Sequence, residues 1–256
     1  MNNIEQVFAR GKAFIPFITA GDPSLEITEQ LVPAMAEAGA DLIELGIPFS
    51  DPVAEGQVIQ DADNRALTAG TTTDKIFAMV KRIRVSCSVP LAFMTYINPV
   101  FTYGAEKFIR NCREAGIAAL IVPDLPFEEK EELTPLCAKY HVTLIAMIAP
   151  TSNRRIRMIA TEARGFLYCV SSLGVTGVRQ EINDDAKKMV ELAKEVNDIP
   201  CAVGFGISTP EQGAKMAEFA DGIIVGSAIV KIIAHYGENS LPYVVDYVRM
   251  MKDALK

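Results

Sequence analysis

Short apolar runs rich in β-branched residues recur along the chain at residues 14–19, 41–47, 90–97, 119–123, 143–148, 166–171, 201–205 and 222–226. Their lengths suit buried strands. Stretches with helical spacing separate them, at residues 25–38, 74–84, 105–115, 130–140 and 185–196, and residues 241–255 read as a closing helix. Two helix starts carry local signals: Thr209-Pro210-Glu211-Gln212 sets a capping Thr before Pro with Gln three residues on, and Asp22-Pro23-Ser24 supplies another. Alternation sustained over eight strands predicts parallel pairing. No G-x-G-x-x-G follows the first strand, so a closed barrel is favoured over an open dinucleotide-binding sheet. The expected fold is α/β, a single (β/α)8 TIM barrel over residues 1–256, with an extra helix at the N-terminus and a short helix after strand eight.

Composition fits that outline and removes several function classes. Of 256 residues, 50% are hydrophobic, enough for one large core. No apolar run reaches the ~18 residues of a membrane span, and the N-terminus lacks a basic stretch followed by an apolar one, so a cytoplasmic location is expected. A net charge of -7 without a long basic run argues against a grip on nucleic acid phosphates. Cys87, Cys112, Cys137, Cys169 and Cys201 form no C-x-x-C pair and read as reduced packing residues. With only His141 and His235, both outside the strand ends, a histidine triad or a multi-histidine metal site is not expected.

Candidate chemistry concentrates at two places. Within Leu42-Ile43-Glu44-Leu45-Gly46 the side chains alternate, so Glu44 shares a face with Leu42 and opposes Ile43 and Leu45. Burial there would raise its carboxyl pKa towards the range useful for proton transfer. Glu55 follows eleven residues later, in the loop after strand two, where it could reach over the barrel mouth or stand as a solvated charge. The second place is the pair of loops after strands seven and eight, carrying Gly206 and Gly226-Ser227. A helix at 228–234 would present unpaired amides and a positive dipole end to an anion, the recurring phosphate site of such barrels. The loop Gly174-Val-Thr-Gly177 could add amides and close over the ligand.

Five segments, Pro16-Phe-Ile-Thr-Ala-Gly-Asp-Pro23, Glu44-Leu-Gly-Ile-Pro-Phe-Ser-Asp-Pro52, Gly174-Val-Thr-Gly177, Gly204-Phe-Gly-Ile-Ser208 and Gly226-Ser-Ala-Ile-Val-Lys231, closely resemble the tryptophan synthase alpha subunit family. The resemblance runs in order from about residue 4 to the C-terminus. It implies cleavage of indole-3-glycerol phosphate to indole and glyceraldehyde 3-phosphate, with no cofactor or metal in this chain. It also implies a beta subunit, in an alpha2beta2 assembly, that carries pyridoxal phosphate and receives the indole. By the same resemblance Glu44 is the acid/base group at indole C3 and the neighbouring hydroxyl, and Glu55 meets the indole N–H. Phe17, Tyr96, Ile121, Ile148, Tyr168 and Phe205 match the indole pocket, although each reads equally as ordinary core. Gly177, Gly206, Gly226 and Ser227 match the phosphate site, Thr176 the lid, and Pro48, Asp51, Asn98 and Pro126 the partner-facing rim.

The chain departs from the commonest family pattern at one point, reading Glu55-Gly56-Gln57 where Asp-Gly-Pro is usual. The carboxylate is kept, on a side chain longer by one methylene and without the neighbouring Pro constraint. Three other readings stay open on sequence alone. They are a free-standing lyase of the same substrate, a barrel that binds sugar phosphates only to activate a partner, and an isomerase acting on a phosphoribosyl compound.

Overall fold

A computed structural model describes residues 4–170, 179–204 and 206–256. Its strands are β1 (Ala13–Thr19), β2 (Ile43–Gly46), β3 (Leu91–Met94), β4 (Ala119–Ile121), β5 (Thr143–Leu144), β6 (Ala146–Ile148), β7 (Leu167–Val170), β8 (Cys201–Gly204) and β9 (Gly222–Val225). They lie in the order β5-β4-β3-β2-β1-β9-β8-β7-β6. Every pairing is parallel. Only Ile145 separates β5 from β6: the first half of this run pairs with β4 and the second with β7. The expected strand at 143–148 therefore switches neighbours midway, and that switch brings the two ends of the sheet together as a barrel.

Among the described residues eleven helices surround it: α1 (Leu25–Glu37), α2 (Gln57–Thr68), α3 (Thr73–Ile83), α4 (Ile97–Tyr103), α5 (Ala105–Ala115), α6 (Thr134–Tyr140), α7 (Asn153–Glu162), α8 (Arg179–Lys194), α9 (Pro210–Ala217), α10 (Ser227–Tyr236) and α11 (Leu241–Asp253). Their starts follow ordinary capping chemistry. Ser24 accepts from the Ile27 N–H at the head of α1, and Thr209 with Gln212 forms a reciprocal capping box on α9.

Several boundaries differ from the expected ones for local reasons. The N-terminal element is a 3-10 turn, Ile4–Phe8, whose Ile4, Val7 and Phe8 pack on the barrel's inner core and whose Phe8 ring lies 5.5 Å from that of Phe166. The helix expected over 130–140 begins at Thr134, because Pro135 has no N–H to donate and fits only the first turn; residues Phe127–Glu132 form a 3-10 turn before it. The expected short helix at 228–234 runs ten residues, from Ser227 to Tyr236, and α8 starts six residues before the expected 185. Periodicity alone did not signal α2, α4 and α7.

Strand alternation divides the apolar residues into two cores. Inside the barrel lie Ala13, Ile15, Leu42, Ala92, Ile121, Phe166, Tyr168 and Ile224, while Phe14, Ile18, Ile43, Leu45 and Phe93 face the helices. Glu44 is level with Phe17 on one side and Ala92 on the other, on the inward face.

The helix that follows the Glu55 loop is tied to the turn after β1 by an ion pair between a half-exposed Arg and a buried Asp. Arg65 of α2 donates to both oxygens of Asp22, at 2.7 and 2.8 Å, and Asp22 is 1% exposed. Removing one partner of such a pair leaves a buried charge without compensation, at about 3 kcal/mol. Urea unfolding of Arg65→Ala is expected to show a loss near that size, and a loss below about 1 kcal/mol would mean that the pair does not anchor α2.

Candidate active site

β2 carries Glu44 to the carboxyl end of the barrel, where the loops after the strands form the mouth. Its side chain is 0% exposed, and neither carboxylate oxygen has a hydrogen-bond partner. Burial without compensation favours the neutral acid, and the Glu44 carboxyl is pushed up to about 8. Its surroundings are built by close approaches to glycine. A Cβ on Gly46 would stand 2.6 Å from the Phe17 ring, and one on Gly204 would stand 2.9 Å from the Tyr168 ring and hydroxyl. Side chains at either position would displace the aromatic wall.

Glu55 lies in the connection between β2 and α2. Its backbone carbonyl accepts from the Gln60 side chain at 2.8 Å, and its Oε2 is buried without a hydrogen-bond partner. Burial raises the Glu55 carboxyl, opposed by its interactions with Asp63 and with the Tyr96 hydroxyl. The Tyr96 hydroxyl also accepts from the Ala54 N–H at 3.1 Å, so the residue preceding Glu55 is pinned to the end of β3. Burial, followed by the charges of Glu44 and Glu55, holds the Tyr168 phenol well above its ordinary range. Glu44, Glu55 and Tyr168 thus face one electrostatic space.

A cavity of about 1290 Å³ is bordered by Glu55, Met94, Met147, Tyr168 and Val170, and it continues outward past Leu125 and Pro126; Glu44 lies behind this lining. Of the expected pocket residues, Phe17, Tyr96, Ile121 and Tyr168 are buried, and of these four Tyr168 borders the cavity. Ile148 packs in the outer core and also borders the cavity, whereas Ile145 and Met147 on the same run belong to the inner core. Phe205, Thr176 and Gly177 lie outside the described residues.

On the other side of the mouth, Gly226 precedes α10 and Ser227 is its first residue, so the amides of that first turn open directly after β9. β8 and β9 are neighbours, which sets the Gly206 loop beside them. Gly206 has φ 76°, a left-handed conformation that glycine adopts without strain, and open space where a Cβ would stand. The arrangement suits an anion between two loops and a helix N-terminus. Among the described residues no group of three or more His, Cys, Asp or Glu side chains could hold a metal.

Of the expected rim residues, Asp51, Asn98 and Pro126 are exposed and Pro48 is buried. Asn98 stands on α4, not in a loop. Val53, 80% exposed, and Phe101, 49% exposed, accompany them and went unremarked in the sequence. The other omission is Asp63 on α2, 4% exposed, whose Oδ1 accepts from the Thr19 hydroxyl at 3.4 Å. An acidic residue set in a stripe with Ile59, Ala62 and Ala66 was the signal available for it.

The family model described as "Tryptophan synthase alpha chain" matches residues 5–256. A curated relative of that name from Lacticaseibacillus casei is 45% identical over 100% of this chain and 96% of its own length. The crystal structure of the tryptophan synthase alpha subunit from Legionella pneumophila superposes with a TM-score of 0.90 at 37% identity, covering 100% of this chain and 98% of that one. A chain of the tryptophan synthase complex from Pyrococcus furiosus superposes with a TM-score of 0.85 at 34% identity, covering 94% and 98%.

The raised Glu44 carboxyl carries a stability signature. Between the usual carboxylate range and about pH 8 the folded chain holds a proton that the unfolded chain has lost, so stability falls as pH rises, by about 1.4 kcal/mol per unit. Glu44→Gln removes that dependence. Urea unfolding is expected to show the variant gaining on the parent from about pH 5 and levelling off beyond pH 8; parallel profiles would contradict a neutral buried Glu44.

Proposed function

Because the chain belongs to the tryptophan synthase alpha chain family, we propose that its barrel mouth cleaves indole-3-glycerol phosphate to indole and glyceraldehyde 3-phosphate in tryptophan biosynthesis. One observation supports this most directly: a carboxyl held neutral inside an apolar chamber, with a second carboxyl facing the same space.

The reaction needs such a pair. An aromatic carbon is a poor leaving group, so C3 of the indole must be protonated before its bond to the glycerol chain can break. Glu44, neutral at pH 7, supplies that proton and becomes a carboxylate. The ring nitrogen then carries positive charge, which the Glu55 carboxylate stabilises at the N–H. Glu44 next accepts the proton of the hydroxyl on the adjacent carbon. The O–H electrons form the aldehyde C=O, the carbon–carbon bond breaks, and its electrons return to the ring towards nitrogen. Indole and the aldehyde leave with Glu44 protonated again, so no cofactor or metal is called for in this chain.

Phe17, Tyr96, Ile121, Ile148, Tyr168 and Phe205 are assigned to the indole ring, and Gly177, Gly206, Gly226 and Ser227 to the phosphate. Thr176 closes the lid, excluding water from the reacting atoms. The exposed rim of Asp51, Val53, Asn98, Phe101 and Pro126 supports docking of a beta subunit over the mouth. That subunit carries pyridoxal phosphate and takes the indole, in an alpha2beta2 assembly. A partner seated there touches the loop leading to Glu55, so docking orders the second carboxylate. The Tyr96 contact with Ala54 and the Gln60 contact with Glu55 take over the restraint that Pro would supply at position 57.

Indole release from indole-3-glycerol phosphate, with and without the beta subunit, tests the reading. Glu44→Gln and Glu55→Gln are each expected to lose at least about a hundredfold in turnover while still binding the substrate. Undiminished turnover of either variant in the assembled complex would remove it from the mechanism. Equal activity of the chain alone and with the partner would indicate a free-standing lyase.

A further inference from the structure

Asp63 is a buried acid that the cleavage scheme above does not use. It sits on the inward stripe of α2, where Thr19, at the end of β1, donates to its Oδ1 at 3.4 Å, and the nearby Phe49 main chain, in the loop after β2, favours its charged form. Its remaining interaction is with the Glu55 carboxyl. Three residues earlier on the same helix, Gln60 holds the Glu55 carbonyl. One helix face therefore grips both the backbone and the side chain of Glu55.

Two carboxyls held against each other in a largely desolvated place cannot both be ionised, so the pair keeps one proton across the neutral range. The environment decides where. Asp63 is 4% exposed and does not border the cavity, whereas Glu55 does. Charge settles on the better solvated group and the proton on the deeper one. Burial and the neighbouring Glu55 charge push the Asp63 carboxyl up to about 8.

The groups able to alter this balance are few. Tyr96 contacts Glu55 from the β3 end, and Asp124 acts on Tyr96. Glu44 and Tyr168 share the chamber. On α2 itself Arg65 is committed to Asp22, and Asp61 is exposed. Lys231 and His235 of α10, the helix packed on α2, are both exposed.

We infer that Asp63 is a positioning residue that keeps the proton of the Glu55–Asp63 pair and donates it in a hydrogen bond to the Glu55 carboxylate, leaving the charge on Glu55 aimed at the indole nitrogen. The assignment rests on the reading of Glu55 as the group that meets that nitrogen. It explains how a side chain one methylene longer than Asp is held in one place: its carboxylate is met by a donor from α2. Above pH 8 the pair becomes doubly charged and the grip fails.

Carbon-13 NMR of the full chain, labelled at aspartate carboxyls only, reads the pair without interference from Glu44. The Asp63 signal, identified by its loss in Asp63→Asn, is expected to titrate at least about two pH units above the exposed aspartates. Glu55→Gln is expected to lower that midpoint by about one unit or more, and Thr19→Val to raise it. An Asp63 midpoint among the exposed aspartates, or one unmoved by Glu55→Gln, would overturn the proposal whether or not the chain cleaves indole-3-glycerol phosphate. In the complex with the beta subunit, Asp63→Ala is expected to lose at least about tenfold in kcat with KM little changed. Asp63→Asn, whose amide can donate as the protonated acid does, is expected to recover most of that loss and to show a shallower alkaline fall. An Asn variant no better than Ala, or one with the parent's alkaline fall, would overturn it as well.

Discussion

An acid enclosed where no group can stabilise its charge is the constraint on which the rest of the molecule depends. Glu44 occupies a barrel interior of Ala, Ile, Leu and aromatic side chains, and both its oxygens are without a partner. In a structural role such a residue would be a defect, since a buried charge costs far more than a buried hydrophobe returns. Neutrality resolves the conflict. The carboxyl stays protonated through the physiological range and is ready to act as an acid on any aromatic carbon placed beside it.

Keeping the chamber apolar imposes geometry on the surrounding strands. Gly46 and Gly204 bear no side chain because the Phe17 and Tyr168 rings occupy the space, and those rings wall the chamber in which Glu44 stays dry. The second carboxylate arrives differently, from a loop, where a strand would be too rigid to permit closure over a ligand. Its placement is delegated to α2, which the Arg65–Asp22 pair and the Thr19–Asp63 bond fix to β1. The same β1 stands beside β9, whose following turn opens α10. Both carboxyls and the head of α10 are thus referred to one strand.

Much of this was legible in the residues. The eight strand runs appear in place because all but the 143–148 run are largely buried on both faces, and each reads as an apolar stretch between turns. Glu44 stood out because a charge in such a stretch violates the pattern. The break at Ile145 was invisible, since a run that changes partners has the same composition as one that keeps them. Helix α2 was invisible for another reason. Gln57, Gln60, Asp61, Asn64 and Arg65 dominate it, and its narrow inward face counts Asp63 among its members. A single charge in a polar helix reads as solvated surface, so the stripe that Asp63 shares with Ile59, Ala62 and Ala66 becomes telling only once the helix is docked.

Isotope-edited infrared spectroscopy reads the protonation state of Glu44 at neutral pH. With glutamate carboxyls labelled, the difference between the parent chain and Glu44→Gln at pH 7 is expected to contain the carbonyl stretch of one protonated acid, giving way to carboxylate bands as the pH passes about 8. A difference spectrum showing only an ionised carboxylate at pH 7 would contradict the account.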